Sequence, residues 1–374
     1  MVGVSTSPIC GVRDHADLLA DALARQGIGC SLHWLSRSPE SLRGSTSRMR
    51  AWTAALREEL GGDPPDAILL HYSVFAYSHR GVPLFVHPTL SALRQARVPL
   101  LTVLHEFAYP WRRRGWRGAA WALTQRALLV DVMRASTALI LTADFQERWV
   151  LSRVWLPGRR TVVAPVFSNL PAADVGPPAE RARPVVGLFG YSAEGAAVSL
   201  TLDAVRLLAD RGVPVELSLL GAPGAESPAG EMWLRAAHAR GVAGALSFSG
   251  IQEPQALADA LGSCEVLLFA ETAGPTTRKT TLAASLAAGR PVLAIDGPSA
   301  WLELARAQAA VIVPPSASAL AGALQEMLAD SALRETQGAR GRAFAEERMS
   351  ATGNARIVGA LLEQVVLSGA LRRA

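Results

Sequence analysis

Short runs of aliphatic and β-branched residues alternate along this chain with longer stretches in which apolar positions recur every three or four residues. The short runs fit strands buried on both faces, and the longer stretches fit the helices that cover those faces. In the first half the runs are Val2–Ser5, Cys30–Leu35, Ala67–His71, Leu100–His105, Ala138–Thr142 and Thr161–Pro165. Beyond the first run, Ala16, Leu19, Ala22 and Leu23 share one face of a helix, with Asp14 placed to cap it. In the second half the runs are Val185–Phe189, Val215–Leu220, Leu246–Ser249, Val266–Ala270, Val292–Ile295 and Ala310–Val313. Leu202–Asp210 and Gln255–Gly262 read as helices between them. Ala343–Leu371 reads as helical with a break at Gly353-Asn354.

Between the halves, the stretch beginning at Asn169 is rich in Pro, Ala and charge and carries no apolar period, which predicts a linker over 169–181. The expected architecture is α/β, with two Rossmann-like domains over 1–168 and 182–345 facing across a cleft. The helices of 346–374 are expected to cross back to the first domain. Open parallel sheets bind ligands beyond the carboxyl ends of their strands, so the residues just after each strand are the ones to search.

With 374 residues, 50% hydrophobic and 18% charged, the chain has ample material for two cores. A formal net charge of +5 favours an anionic partner, such as a nucleoside diphosphate, an acidic lipid surface or nucleic acid. Cys10, Cys30 and Cys264 have no C-x-x-C spacing and read as reduced thiols. No basic segment followed by a long apolar core opens the chain and no apolar run is long enough for a membrane span, so a cytoplasmic protein is expected.

Three segments carry candidate chemistry. Gly274-Pro275-Thr276-Thr277-Arg278-Lys279-Thr280-Thr281-Leu282 follows a strand and runs into a small-residue helix. Open backbone N–H groups, the helix dipole and two adjacent cations would there act on one diphosphate. His105 closes a strand, where an imidazole can hydrogen-bond a sugar, a phosphate or an acceptor, and His15 stands at a helix start. Trp111-Arg112-Arg113-Arg114-Gly115-Trp116-Arg117, with Trp121 beyond, suits an anionic amphipathic surface such as a membrane interface. No nucleic-acid-binding motif accompanies it, so nucleic acid is not expected as a partner. Phosphate-binding G-x-x-x-x-G-K-[ST], G-x-G-x-x-G and nucleophile-elbow motifs are missing, which argues against an NTPase, a dehydrogenase and a serine hydrolase. His and carboxylate residues do not fall at metal-ligand spacing.

The small-residue helix after the Gly274–Leu282 segment is followed by Gly289-Arg290-Pro291-Val292, and with this pattern the chain resembles the retaining GT-B glycosyltransferases of the family-four type. Cys10-Gly11-Val12-Arg13-Asp14-His15 is similar to that family's first strand-to-helix loop. Leu70-His71-Tyr72 with Gly81-Val82-Pro83 resembles its third-strand segment, and Leu104-His105-Glu106 its fourth-strand histidine. Gly187-Leu188-Phe189-Gly190 resembles the opening of the donor domain. Ser249-Gly250-Ile251, the Leu257–Leu261 helix and Cys264–Phe269 resemble what precedes the donor loop. The resemblance spans nearly the whole chain and rests on the order of weak motifs.

It implies transfer of a sugar, with retention and without a bound metal or other cofactor, from a nucleotide-diphosphate sugar to a glycan, lipid-linked or small-molecule acceptor. It implies His105 as the catalytic contact with the sugar. Arg278, Lys279, Thr277, Thr280, Gly190, Tyr191 and Gly250 would bind the donor, and Gly11, Asp14, His15 and Tyr72 the acceptor. The chain departs from the pattern where two glutamates usually stand eight positions apart: Thr276 and Ala284 occupy those places. The loop Gly190–Gly195 also lacks the usual basic residue. A nucleotide-sugar epimerase or hydrolase, or a non-catalytic partner subunit on the same fold, therefore stay open as alternatives.

Overall fold

The computed structural model describes residues 1–7, 10–37, 41–111, 115–173, 181–191, 194–221 and 223–371. Strands β1 (Val2–Ser5), β2 (His33–Ser36), β3 (Ile68–Ser73), β4 (Leu100–Glu106), β5 (Ala138–Leu141) and β6 (Arg160–Val163) form one parallel sheet. Helices α1 (Gly11–Ala24), α2 (Leu42–Gly62), α3 (Val86–Gln95), α4 (Gly115–Ala135) and α5 (Asp144–Leu151) connect its strands. A second parallel sheet contains β7 (Val185–Phe189), β8 (Glu216–Leu220), β9 (Leu246–Gly250), β10 (Val266–Phe269), β11 (Val292–Ile295) and β12 (Val311–Val313). With it go α6 (Gly195–Asp210), α7 (Pro228–Ala239), α8 (Pro254–Gly262), α9 (Thr280–Ala287), α10 (Leu302–Arg306), α11 (Ala317–Ala329) and α12 (Ser331–Arg348). The last helix, α13 (Ala351–Leu371), packs against α1. The chain divides into two units, Met1–Pro165 with Ala351–Ala374, and Val166–Ser350.

Strands β1, β5, β10 and β11 are buried along their whole length, which is why they read as unbroken apolar runs. In the first unit Leu70, Leu104, Leu139 and Leu141 join a core cluster with Leu56 and Leu60 of α2 and Leu129 and Met133 of α4. Each such side chain contributes roughly 1.5–3 kcal/mol by leaving water. In the second unit separate clusters cover the two faces of the sheet, one around Leu188, Leu217 and Trp233 and one around Leu267, Leu282 and Leu286.

Strand order locates the binding ends. The first sheet runs β2-β1-β3-β4-β5-β6, so chain direction reverses between β1 and β3. The second runs β12-β11-β10-β7-β8-β9, with the reversal between β7 and β10. Loops leaving a reversal point diverge to opposite faces and open a crevice at the carboxyl end.

Three local expectations change. Strand β2 begins at His33, not Cys30, because the first ladder bond is His33 N–H to the Met1 carbonyl at 2.8 Å. Helix α1 starts at Gly11, so Asp14 lies inside the first turn and does not cap it; its N–H already bonds the Cys10 carbonyl at 3.0 Å. The C-terminal break falls at Met349-Ser350. Gly353 and Asn354 continue α13, because the buried Asn354 amide donates to the Pro165 carbonyl at 2.7 Å and so gains a partner inside the helix. Among the described residues no helix is long and apolar enough to cross a membrane.

Candidate functional site

In the second unit the loops after β7 and β10 meet at the reversal point. Gly190 leaves β7 with φ +68, a left-handed conformation suited to glycine, and a Cβ there would lie 2.4 Å from Thr281 Cγ2. The first turn of α9 is thus pressed against the bare backbone of the β7 loop. Lys279 precedes α9 and makes no side-chain cap, so the helix presents its first N–H groups without an internal acceptor. Lys279 Nζ lies 2.7 Å from Glu271 Oε1, which already shares its charge. Arg278 is half-buried beside it.

The rest of the β10–α9 loop is frame. Thr276 and Thr277 are buried, and the Thr277 carbonyl accepts from Val166 N–H at 2.8 Å. Thr277 therefore braces the loop and exposes no side-chain surface to a donor. Pro275 and Ala273 carbonyls accept from Trp301 and Ser299 N–H at 2.8 Å each, tying the loop to the one after β11. Of the two positions where the family's glutamates stand, Thr276 sits in this buried frame and Ala284 is buried within α9.

Tyr191 turns its ring inward, edge-on to Trp233 and Phe248, and its hydroxyl accepts from Gly224 N–H at 2.6 Å. Its backbone alone faces the β7 loop. Gly250 ends β9 with φ +65, next to Ser249, whose hydroxyl accepts from Gly221 N–H at 2.9 Å. Thr280 is partly exposed at the first position of α9. Gly190, the Tyr191 backbone, Arg278, Lys279 and Thr280 gather at one sheet end, with Gly250 ending a strand farther along the same sheet.

In the first unit the corresponding end holds three imidazoles. His15 of α1, His71 of β3 and His105 of β4 are all buried, with ring centroids 5.4 Å (15–105), 6.0 Å (15–71) and 5.4 Å (71–105) apart. His71 Nδ1 lies 3.1 Å from His105 Nε2. Burial lowers the His15 pKa to about 4. Burial, then the neighbouring His105 and His15, hold His71 well below the ordinary imidazole range. His15 and His71 are neutral at pH 7.

Strand pairing brings the two together: His71 stands opposite Val103, and the register shifts beyond Tyr72, where Leu104 is followed in the pairing by Glu106, so that His105 falls at the irregularity of β4 with its ring stacked on that of His71. Gln146 secures the end of β4, its Nε2 donating to the His105 carbonyl at 3.3 Å while its Oε1 accepts from Thr142 N–H at 3.0 Å. Gly3 has no Cβ, which allows the Trp34 indole to cross β1 and approach the His71 ring at 5.9 Å.

Gly11 is exposed beside this cluster and Asp14 partly so. Tyr72 belongs to the core instead: it is 1% exposed and stacks on Tyr77 at 5.5 Å, on the opposite face of β3 from His71. A side chain so placed cannot line an acceptor pocket. The sequence pattern assigns His71 no role, although two strands ending in histidine are visible there.

Arg112, Arg113 and Arg114 lie outside the described residues. Around them Trp111 and Trp116 are exposed, Trp116 to 77%. Arg126 lies over the Trp111 ring at 4.5 Å and donates to the Tyr109 carbonyl. The end of α5 and the loop after it add exposed Leu151, Val154 and Trp155, with Arg153 over Trp149 at 4.0 Å. Sequence patterning does not mark this second apolar segment. Among the described residues no group of three His, Cys, Asp or Glu is arranged to hold a metal ion.

Residues 183–330 match the family model described as Glycosyl transferases group 1. No curated protein matches the chain by sequence. Among solved structures, sucrose-phosphate synthase from Thermosynechococcus elongatus is 16% identical with a TM-score of 0.67, covering 98% of this chain and 99% of that one. A glycosyltransferase from Rickettsia africae is 12% identical with a TM-score of 0.71, covering 98% of each chain. Anabaena HepE in complex with UDP-glucose is 14% identical with a TM-score of 0.68, covering 97% of this chain and 99% of that one. At such identities the likeness speaks for the fold. The chain has the two-domain, Rossmann-like GT-B fold, and its second unit carries a group 1 glycosyltransferase domain.

Proposed function

We propose that this glycosyltransferase moves a sugar from a nucleoside-diphosphate sugar to a glycan, lipid-linked or small-molecule acceptor, with retention of configuration and without a metal ion. The observation that carries the reading is the conjunction at the second sheet's reversal point. There the uncapped start of α9, Arg278 and Lys279 stand against a glycine backbone turn. HepE, whose structures hold UDP and UDP-glucose, supports this class of donor.

In the proposed reaction the bond from the anomeric carbon to the diphosphate oxygen breaks, and the acceptor oxygen bonds to that carbon on the same face. The acceptor's proton leaves with the diphosphate. Charge builds on the departing group, so fixed cations and N–H dipoles supply most of the acceleration. Arg278 and Lys279 hold the diphosphate, Thr280 and the backbone of Gly190 and Tyr191 assist, and Gly250 borders the donor. His105 contacts the transferring sugar, and Gly11, Asp14 and His15 shape the acceptor side. The protein works in the cytoplasm, and Trp111–Arg117 rests on the surface of a membrane.

Calorimetry with UDP, GDP and ADP tests the donor assignment. Wild-type protein should bind at least one of them. Arg278→Ala with Lys279→Ala should weaken it at least about 100-fold, since charge-assisted bonds contribute roughly 1.5–3 kcal/mol each. Unchanged affinity in a double variant with native circular dichroism would overturn the assignment.

A further inference from the structure

His71 and His105 share one hydrogen bond, Nδ1 to Nε2, and one of the two rings must supply its proton. Two arrangements are available to neutral rings. In the first, His105 Nε2–H donates, and His71 must carry its own proton on Nε2. In the second, His71 Nδ1–H donates, His71 Nε2 is a bare lone pair, and His105 carries its proton on Nδ1.

The surroundings of His71 Nε2 separate them. That atom is buried and has no hydrogen-bond partner among the described residues. The first arrangement would leave an N–H there without an acceptor, the rarer of the two kinds of orphan in folded proteins. The next ring, Trp34, also buries an N–H with no acceptor among the described residues. The first arrangement would thus bury a second orphaned donor in this region, whereas the second buries only a lone pair. A doubly protonated His71 is ruled out by its burial within a cluster of imidazoles.

We infer that His71 is a positioning residue that donates from Nδ1 and thereby fixes His105 in its Nδ1–H tautomer. His105 then carries an N–H, and not a basic lone pair, on Nδ1. Such a group can hydrogen-bond a sugar or phosphate oxygen without charge and cannot take up the acceptor's proton. This role for His105 rests on the reading above, in which it contacts the transferring sugar and the proton leaves with the diphosphate.

The tautomers can be observed directly in the full chain with ¹⁵N-labelled histidine. Two-bond ¹⁵N–¹H correlations distinguish Nδ1–H from Nε2–H, and His71→Asn and His105→Gln assign the signals. Both His71 and His105 should show the Nδ1–H pattern at neutral pH. An Nε2–H pattern at His105 overturns the inference whatever the activity.

Kinetics supply the second arm. His71→Leu should lower kcat by about 10- to 100-fold with little change in the donor KM, as expected when a supporting partner of a functional histidine is lost. His71→Asn, whose amide N–H can take the place of Nδ1–H, should recover most of that loss. Equal loss in both variants, with native circular dichroism, would mean that His71 serves packing alone. If the predicted tautomer is seen while His105→Ala retains full activity, the sugar contact fails and the tautomer assignment stands.

Discussion

Burying His15 in neutral form makes the first unit sensitive to acid. Folded His15 has a pKa of about 4 because burial penalises its charged form, against 6.5 when solvated. The lowered folded value means that the unfolded chain binds the proton first. Stability is therefore complete above about pH 6.5 and is lost as pH falls from there toward 4. Over the whole interval from 6.5 to 4 the loss is about 3.4 kcal/mol, at about 1.36 kcal/mol per pH unit. By pH 5 it is about 2 kcal/mol. His71 adds to it in the same direction. His15→Leu removes the titrating ring and lightens the repulsion on His71. Urea melts at pH 7 and pH 5, followed by tryptophan fluorescence, read the first unit. Trp34, Trp52, Trp111, Trp116, Trp121, Trp149 and Trp155 lie there, against Trp233 and Trp301 in the second. Carboxylates titrate alike in both proteins, so the difference between the two pH losses isolates the cluster. The variant should lose about 2 kcal/mol less than wild type between pH 7 and pH 5. Equal losses would refute the neutral, buried state of His15.

Gly190→Ala should destabilise the second unit by about 2 kcal/mol, from left-handed strain and the contact with Thr281, in melts followed by far-UV circular dichroism. Thr281→Ser removes Cγ2 and should return about 1 kcal/mol of that loss; no recovery would deny the close approach. Trp116→Ser with Val154→Ser should reduce binding to phosphatidylglycerol vesicles about 10-fold while leaving phosphatidylcholine binding low. Equal binding by wild type and variant would remove the membrane contact from the proposal.

Much of the fold can be read from sequence because strands such as β1, β5, β10 and β11 are buried on both faces and announce themselves as apolar runs. Where a strand is half-exposed the signal blurs, which is why β2 begins three residues later than its run suggests. Gly353-Asn354 looks like a helix stop by propensity, but a single buried hydrogen bond to Pro165 overrides it. The donor loop is visible as basic residues ahead of a small-residue helix. Hidden from sequence is the inward placement of Thr277 and Tyr72, both of which are buried.

Inward or outward placement on a strand depends on which face the neighbouring helices cover, and spacing alone does not reveal it. The role of His71 is hidden for a related reason. Its partner comes from β4, 34 positions later, and the β3–β4 pairing, with its irregularity at His105, brings the two rings together. Lys279 is legible as a cation, but its ion pair with Glu271 depends on how the β10–α9 loop folds back.

Turnover of nucleotide sugars separates sugar transfer from the other activities this fold could carry. Wild-type protein is incubated with UDP-, GDP- and ADP-sugars, with and without a pool of glycan, lipid-linked and small-molecule acceptors, and release of nucleoside diphosphate is followed. Acceptor-dependent release is expected from at least one donor, and is lost in His105→Ala and in Arg278→Ala with Lys279→Ala. Release that needs no acceptor, or no release from any donor, would overturn the assignment as a glycosyltransferase.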